Sequence, residues 1–449
     1  MNATSHLIAA ALSRIGIPFD ITGIVRETAP DIVNAEGAVL FADVPPRTIV
    51  TFTLRPEADS AIRVEVWLPD ADTWNGRFLG RGSGGMAGMM MGPDWYVWSL
   101  KEGYVVAYTD LGTTVSGVNN PGVWKDFGHR ATHLMTKAGK AITENFYARS
   151  IATAYFFGTS TGGQQAFSLA QRHPEDYDGI LAGVPAHDRL AVHAFFVWNE
   201  QIVTRCPFTE GQQSAIVAAG LDYMTQRERG GGVPASATLP WYFQNPVVSA
   251  TDIEAVIALA CAKDPTLTPE HRTALRLLFE GPRRADTGEP IHGGLPIGAA
   301  FRSWKHFYPF HWVFGDDWDY MAFRFADDYD AYRAALSHDL DANDPDLSRF
   351  HAHGGKFLAY SGALDPAVPF HPTLAYARKV CEHAGGSDKA AQFFRYYIIP
   401  GLGHGHSPFF SRVHPDPLAL LRDWRENNVT PATLRLVTPD NANLEVPPI

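Results

Sequence analysis

Gly158-Thr159-Ser160-Thr161-Gly162 decides how the rest of this chain is read. An apolar run of strand character, Ala152-Thr153-Ala154-Tyr155-Phe156-Phe157, leads into it, and a helix-type run, Gln164 to Gln171, follows. G-x-S-x-G between a strand and a helix is the pattern of a nucleophile elbow. The turn is so tight that its flanking positions must lack bulk, hence Gly158 and Gly162. Ser160 is then held at the tip with its Oγ exposed. Alone the five residues are a weak signal in a chain with 40 glycines, because an ordinary turn closing a βα unit reads the same way.

Partners follow in the order serine, acid, histidine that α/β-hydrolases use. Lys356-Phe357-Leu358-Ala359-Tyr360 reads as a buried strand ending in Ser361-Gly362-Ala363-Leu364-Asp365-Pro366. Asp365 is thereby placed at the carboxyl end of a strand, where open α/β sheets keep their sites. A second run, Phe393 to Ile399, ends in Pro400-Gly401-Leu402-Gly403-His404-Gly405-His406, with room for one helix, Thr373 to Glu382, between acid and histidine. A serine hydroxyl needs a base to take its proton as it attacks. A neutral imidazole does this near pH 7, and a buried carboxylate fixes its tautomer. Asp365-Pro366 also reads as a simple turn, His404 as a solvated turn residue, and His406 is a rival base.

The loop Gly80-Arg81-Gly82-Ser83-Gly84-Gly85-Met86-Ala87-Gly88 lacks the Gly-Lys-Ser/Thr signature of a phosphate cradle. It suits the second oxyanion donor that such a fold draws from an early strand–helix loop. The expected donors are the N–H groups of Thr161 and Gly85, each lowering the barrier by about 3 kcal/mol. Met86, Met89, Met90 and Met91 either line an adaptable acyl or alcohol pocket or fill core gaps.

Composition fits a large α/β enzyme. The 449 residues are 45% hydrophobic and 19% charged, enough for a sizeable core and two or three structural units. A net charge of −11 without a long Lys/Arg cluster argues against nucleic acid as a partner. No apolar run approaches the roughly 18 residues of a membrane-spanning helix. Met1 to His6 has no basic region and Leu7 to Leu12 is too short for a signal peptide, so a cytoplasmic location is expected, or secretion if a leader has been removed. Cys206, Cys261 and Cys381 are too few and too scattered for a disulfide framework or zinc site, and no histidine spacing suggests a metal. Neither metal nor cofactor is therefore expected, and oligomeric state is not legible.

Residues 1 to about 45 form a preamble closed by Val44-Pro45-Pro46. Thr48 to Leu54, Ile62 to Leu68, Phe78 to Gly80, Val105 to Thr109 and Ile180 to Val184 read as strands. The expected architecture is an α/β-hydrolase core, mostly parallel sheet with helices on both faces, plus an inserted lid. Residues 1–190 carry the nucleophile half, 191–347 the lid, and 348–449 the acid and histidine. Within the lid, Arg229-Gly230-Gly231-Gly232 reads as flexible. Phe301, Trp304, Phe307, Tyr308, Phe310, Trp312, Phe314, Trp318 and Tyr320 form an aromatic run, mostly lid core, with Trp304 and Trp312 the candidates for a pocket wall.

The chain resembles the tannase/feruloyl esterase family. The likeness is carried by Val64-Glu65-Val66-Trp67-Leu68-Pro69, Trp74-Asn75-Gly76-Arg77-Phe78, Gly162-Gly163-Gln164-Gln165, Ala170-Gln171-Arg172-His173-Pro174, Tyr177-Asp178-Gly179, Gly183-Val184-Pro185-Ala186, Leu267-Thr268-Pro269, Gly354-Gly355-Lys356 and Pro400 to His404. The resemblance implies a Ser-Asp-His triad on Ser160, Asp365 and His404, and a lid that shapes an aromatic-ester pocket. It also implies a disulfide joining the positions beside the serine and the histidine, but these are Thr159 and Gly405. Losing both halves together fits a reducing compartment. Family lids commonly carry a calcium loop; Asp222 and Arg227 to Gly232 cannot supply calcium's six to eight oxygens. The expected activity is hydrolysis of an aromatic or hydrophobic carboxylic ester, a small-molecule substrate, through an acyl-enzyme. A lactonase, C–C hydrolase or acyltransferase would use the same triad, and an intact triad argues against a non-catalytic binding protein.

Overall fold

The structure, a computed structural model, describes residues 3–230, 239, 241–301, 303–414, 416–439 and 443–449. It contains two compact units: Met1–Ala182 with Asp346–Phe357, and Gly183–Pro345 with Leu358–Ile449. The expected lid and most of the expected acid–histidine segment thus fall together in the second unit.

In the first unit the strands are β1 (Phe19–Glu27), β2 (Ile32–Val33), β3 (Val39–Phe41), β4 (Arg47–Leu54), β5 (Ile62–Pro69), β6 (Arg77–Arg81), β7 (Val105–Thr109), β8 (Thr153–Thr159) and β9 (Gly179–Gly183). Their order across the main sheet is β1-β4-β5-β7-β6-β8-β9. Pairing is antiparallel from β1 through β4 and β5 to β7, then parallel from β7 through β6 to β8. β2 and β3 form a separate pair. The alternation of Ile62, Val64 and Val66 buries one face of β5, whereas β7 and β9 are buried at every position, as central strands covered on both faces must be.

The predicted strands hold to within a residue or two, but the preamble contains more structure than its sequence suggests. A helix runs Ala3–Ser13, and β1 pairs along the whole of β4. β1 escaped notice because its pairing shifts between Ile21 and Gly23, which breaks the period of two that signals a strand. The helix Thr161–Arg172 starts three residues before its apolar signal and is buried from Thr161 to Ala170.

In the second unit, β10 (Lys356–Gly362), whose first two residues count with the first unit, neighbours β11 (Phe394–Ile399), and the helix His371–Ala384 connects them. A small antiparallel sheet unforeseen from the sequence follows: β12 (Arg412–His414), β13 (Leu434–Val437) and β14 (Asn443–Val446). Helices dominate residues 189–340. Ser249 and Asp252 close a capping box at the start of Ala250–Lys263, and Thr268 with His271 does so before Pro269–Glu280. The helix Glu210–Gly230 takes in the first two residues of the expected flexible stretch; Gly231 and Gly232 lie outside the described residues. Phe310 is stacked between Trp318 (4.6 Å) and Tyr332 (4.2 Å), so much of the aromatic run is core.

This helical region also buries titratable groups. His187, His193 and His292 are almost fully enclosed. Burial lowers all three, His292 to about 4 and His193 well below its ordinary value, with the Arg189 charge adding to the shift at His193. Each binds fewer protons folded than unfolded. Its stabilising effect is complete above the unfolded value of about 6.5 and is lost as pH falls toward the folded value. Asp341, pushed up to about 8 by burial and then by Asp188, has the opposite sign and favours the folded state as pH falls. Three imidazoles outweigh one carboxyl, and burial lowers His371 to about 3 and His173 to about 4 in the same sense, so the net contribution of these groups falls as pH falls. The denaturant midpoint should therefore fall as pH is lowered from 6.5 to 5; a flat or rising midpoint would contradict this balance.

Candidate active site

In the first unit, Ser160 separates β8 from the helix Thr161–Arg172. Its backbone sits at φ 58° and ψ −115°. A non-glycine residue held in such a region costs about 1–3 kcal/mol and needs surroundings that over-determine it. Close backbone packing provides them. A Cβ on Gly158 would lie 2.3 Å from the Gly162 carbonyl oxygen, and one on Gly82 would lie 2.6 Å from Gly162 Cα and 2.9 Å from Gly158 Cα. Three backbones therefore meet where no side chain fits.

The Gly-rich loop is fastened to the elbow by hydrogen bonds as well. Gly82 N–H donates to Phe157 O at 2.9 Å, and Ser83 Oγ donates to Thr109 O at 2.7 Å. Thr161 Oγ1 donates to the Gly85 carbonyl at 2.5 Å, and Gly85 adopts φ +56°. Thr161 opens the helix, so its N–H lies in the first turn, at the positive end of the helix dipole. Thr161 and Gly85, the two expected oxyanion residues, are thus joined directly. Met86 is half exposed, and its carbonyl accepts from Thr113 Oγ1 at 2.8 Å.

In the second unit, Asp365 is fully buried in the loop after β10. Its Oδ1 accepts from Ala367 N–H at 2.8 Å and Val368 N–H at 2.9 Å, while Oδ2 lies 2.8 Å from His404 Nδ1. An ionised carboxylate only accepts, so Nδ1 carries the hydrogen and Nε2 is the basic nitrogen. The two loops are tied together: Leu364 N–H donates to Leu402 O at 2.9 Å, and a Cβ on Gly362 would lie 2.3 Å from that same oxygen. His406, the rival base, is exposed, and its Nδ1 lies 3.2 Å from the His404 carbonyl. Asp365 therefore pairs with His404.

His404 borders a cavity of about 300 Å³ lined also by Val217, Leu221, Trp304, Leu364 and Phe409. Trp304 stands edge-on to the His404 ring, 5.5 Å between centroids. Trp312 is buried against Tyr308 at 5.0 Å and is not part of this lining. Val217 and Leu221, one helical turn apart on Glu210–Gly230, and Phe409, stacked on Trp241 at 5.2 Å, were not singled out from the sequence. The i, i+4 spacing of the first two was a visible signal, but it could not say what that face covers.

Cys206, Cys261 and Cys381 are free thiols. Asp222, the candidate carboxylate in the calcium-loop region, pairs with Lys263 at 2.7 Å.

A strained serine at a strand–helix turn, a glycine loop bound to it and a buried Asp–His pair on later strand-end loops are the parts of an α/β-hydrolase. The sequence profile described as tannase and feruloyl esterase matches residues 48–314 and 316–445, and the chain belongs to that family. It is a carboxylic-ester hydrolase of the feruloyl esterase and tannase kind. A probable feruloyl esterase of Arthroderma benhamiae is 26% identical, the match covering 84% of this chain and 76% of that protein. An uncharacterized esterase of Xanthomonas campestris is 27% identical over 93% of this chain and 80% of its own. In fold, the chain is similar to feruloyl esterase B from Aspergillus oryzae (TM-score 0.80, 20% identity, 98% and 95% coverage) and tannin acyl hydrolase from Aspergillus niger (TM-score 0.75, 18% identity, 99% and 92% coverage). Among the described residues no helix is long and apolar enough to cross a membrane.

The glycine packing makes a paired prediction. Gly82→Ala drives a methyl into the elbow backbone and should lower kcat/KM about a hundredfold through misplacement of Ser160. Gly84→Ala, with open space around its Cβ, should stay near wild type. Equal activity in the two variants would refute the packing argument.

Proposed function

We propose that Ser160, Asp365 and His404 act as one triad and that the reaction passes through an acyl-enzyme. The observation that carries this reading is the strained backbone of Ser160 at the start of a buried helix, a geometry that serves no purpose in an ordinary turn. Ser160 Oγ attacks the ester carbonyl as His404 Nε2 takes its proton, and the carbonyl π electrons move to the oxygen. The N–H groups of Thr161 and Gly85 hold that oxyanion. Collapse expels the alcohol, which takes the proton from His404. Water then attacks the acyl-enzyme, giving its proton to His404, and the acid leaves as Ser160 recovers a hydrogen. Asp365 keeps the imidazole in the required tautomer and stabilises its charged form.

The substrate we infer is an ester with an aromatic or hydrophobic acyl or alcohol part, in keeping with the feruloyl esterase and tannin acyl hydrolase named among the relatives. The cavity beside His404 supports this: Trp304, Phe409, Leu221 and Val217 give it aromatic and aliphatic walls, and among the described residues no carboxylate, lysine or arginine lines it. Met86 serves as a mobile apolar contact in the same proposal. The lid is assigned to residues 191–347, between the nucleophile and acid–histidine segments. The absent bridge and the free cysteines suit a reducing, cytoplasmic setting. The net charge of −11 suits no nucleic-acid partner.

Ser160→Ala should abolish hydrolysis of a short aryl ester with circular dichroism unchanged, and the wild-type enzyme should release a burst of chromogenic alcohol. Undiminished turnover in the variant would sink the assignment. Millimolar dithiothreitol should leave the wild-type rate unaltered; a marked loss would mean that a disulfide supports the site after all.

A further inference from the structure

On the first unit, well away from Ser160, three chemically matched side chains converge. His133 lies in the first turn of the helix Ala131–Tyr147. His173 caps the C-terminus of the helix Thr161–Arg172, and Asp176 follows in the turn beyond it. One ligand atom from each, an imidazole nitrogen twice and a carboxylate oxygen once, lies within 4.8 Å of the others. The sequence hides this group, because 40 residues separate the two histidines and no short motif joins them.

We propose that His133, His173 and Asp176 form a binding site for a zinc-type divalent transition metal. The donor set is that of zinc: two imidazoles and one carboxylate, with a fourth position left for water. The three side chains are already in contact. The two imidazoles stack face to face, 3.7 Å between centroids and 10° between planes, and His133 Nδ1 lies 2.7 Å from Asp176 Oδ2. Asp176 N–H donates to the His173 carbonyl at 3.0 Å, fixing the turn that presents both residues. Lys140 donates to the main-chain carbonyl of Asp176. Ligands around a tetrahedral zinc stand about 3.3 Å apart, so binding would replace the His133–Asp176 hydrogen bond and turn the two rings out of their stack until their lone pairs converge. Asp176 is buried and His133 about one-fifth exposed, which leaves an entry path from solvent.

The metal would act on stability, not on the ester reaction. It would clamp the C-terminus of the nucleophile helix to the helix Ala131–Tyr147, at the opposite end from Ser160 and about 18 Å along the axis. Binding is thus expected to raise the melting temperature and leave the esterase rate unchanged.

The test uses the full chain after chelator treatment and desalting. Cobalt(II) titration should give one equivalent with the strong visible d–d absorption of a four-coordinate site, displaced by zinc, and zinc should raise Tm. His173→Asn and His133→Gln, checked for folding by circular dichroism, should each weaken binding at least about tenfold. His6→Ala, which removes an exposed histidine beside the far end of the helix Ala131–Tyr147, where Asn145 donates to the Leu7 carbonyl, should bind as wild type. No four-coordinate cobalt spectrum in the wild-type protein would overturn the site whatever the variants do. So would undiminished affinity in both ligand variants, which would place the metal elsewhere. Either result leaves the proposed triad untouched, because aryl-ester turnover is read separately.

Discussion

The approach of three glycine backbones, at Gly82, Gly158 and Gly162, is the constraint on which the nucleophile geometry depends. Where a Cβ would come within 2.3–3.0 Å of another backbone, the loop after β6 can lie directly on the turn after β8. That contact holds Ser160 at a positive φ that it would leave if the turn were loose. It also brings Gly85 to the hydroxyl of Thr161, so one packing event positions the proposed nucleophile and both candidate oxyanion donors. Preorganised donors are effective because little reorganisation remains when charge develops on the substrate.

The proposed acid–base pair, Asp365 and His404, is stabilised by different means. Hydrogen bonds do the ordering. Asp365 has both oxygens engaged, one by two backbone N–H groups and one by His404. A carboxylate buried in this way is compensated rather than isolated, and its orientation is fixed before substrate arrives. The backbone bond between Leu364 and Leu402 joins the acid loop to the histidine loop without a covalent tie.

Much of this was legible in the sequence where local pattern and local structure coincide. The elbow, the strand ends at Asp365 and His404, and the alternation of β5 are signals spanning a few residues, and each appears where it was expected. Elements whose identity depends on distant partners were harder to read. β1 is irregular and half exposed, and it becomes a strand by pairing with β4. Trp304 and Trp312 looked equivalent in one aromatic run, yet one stands at His404 and the other packs on Tyr308, because Trp304 lies in the loop before the helix Tyr308–Phe314 and Trp312 lies within it. The His133–His173–Asp176 cluster was invisible for the same reason: its members meet through the packing of two helices.

The central claim is that Ser160 is the nucleophile. Its most direct test is to inactivate the enzyme with a fluorophosphonate and map the adduct by peptide mass spectrometry. The account predicts stoichiometric modification of Ser160, rising in step with the loss of esterase activity. Inactivation with the label on another residue, or full activity retained by protein modified at Ser160, would contradict it.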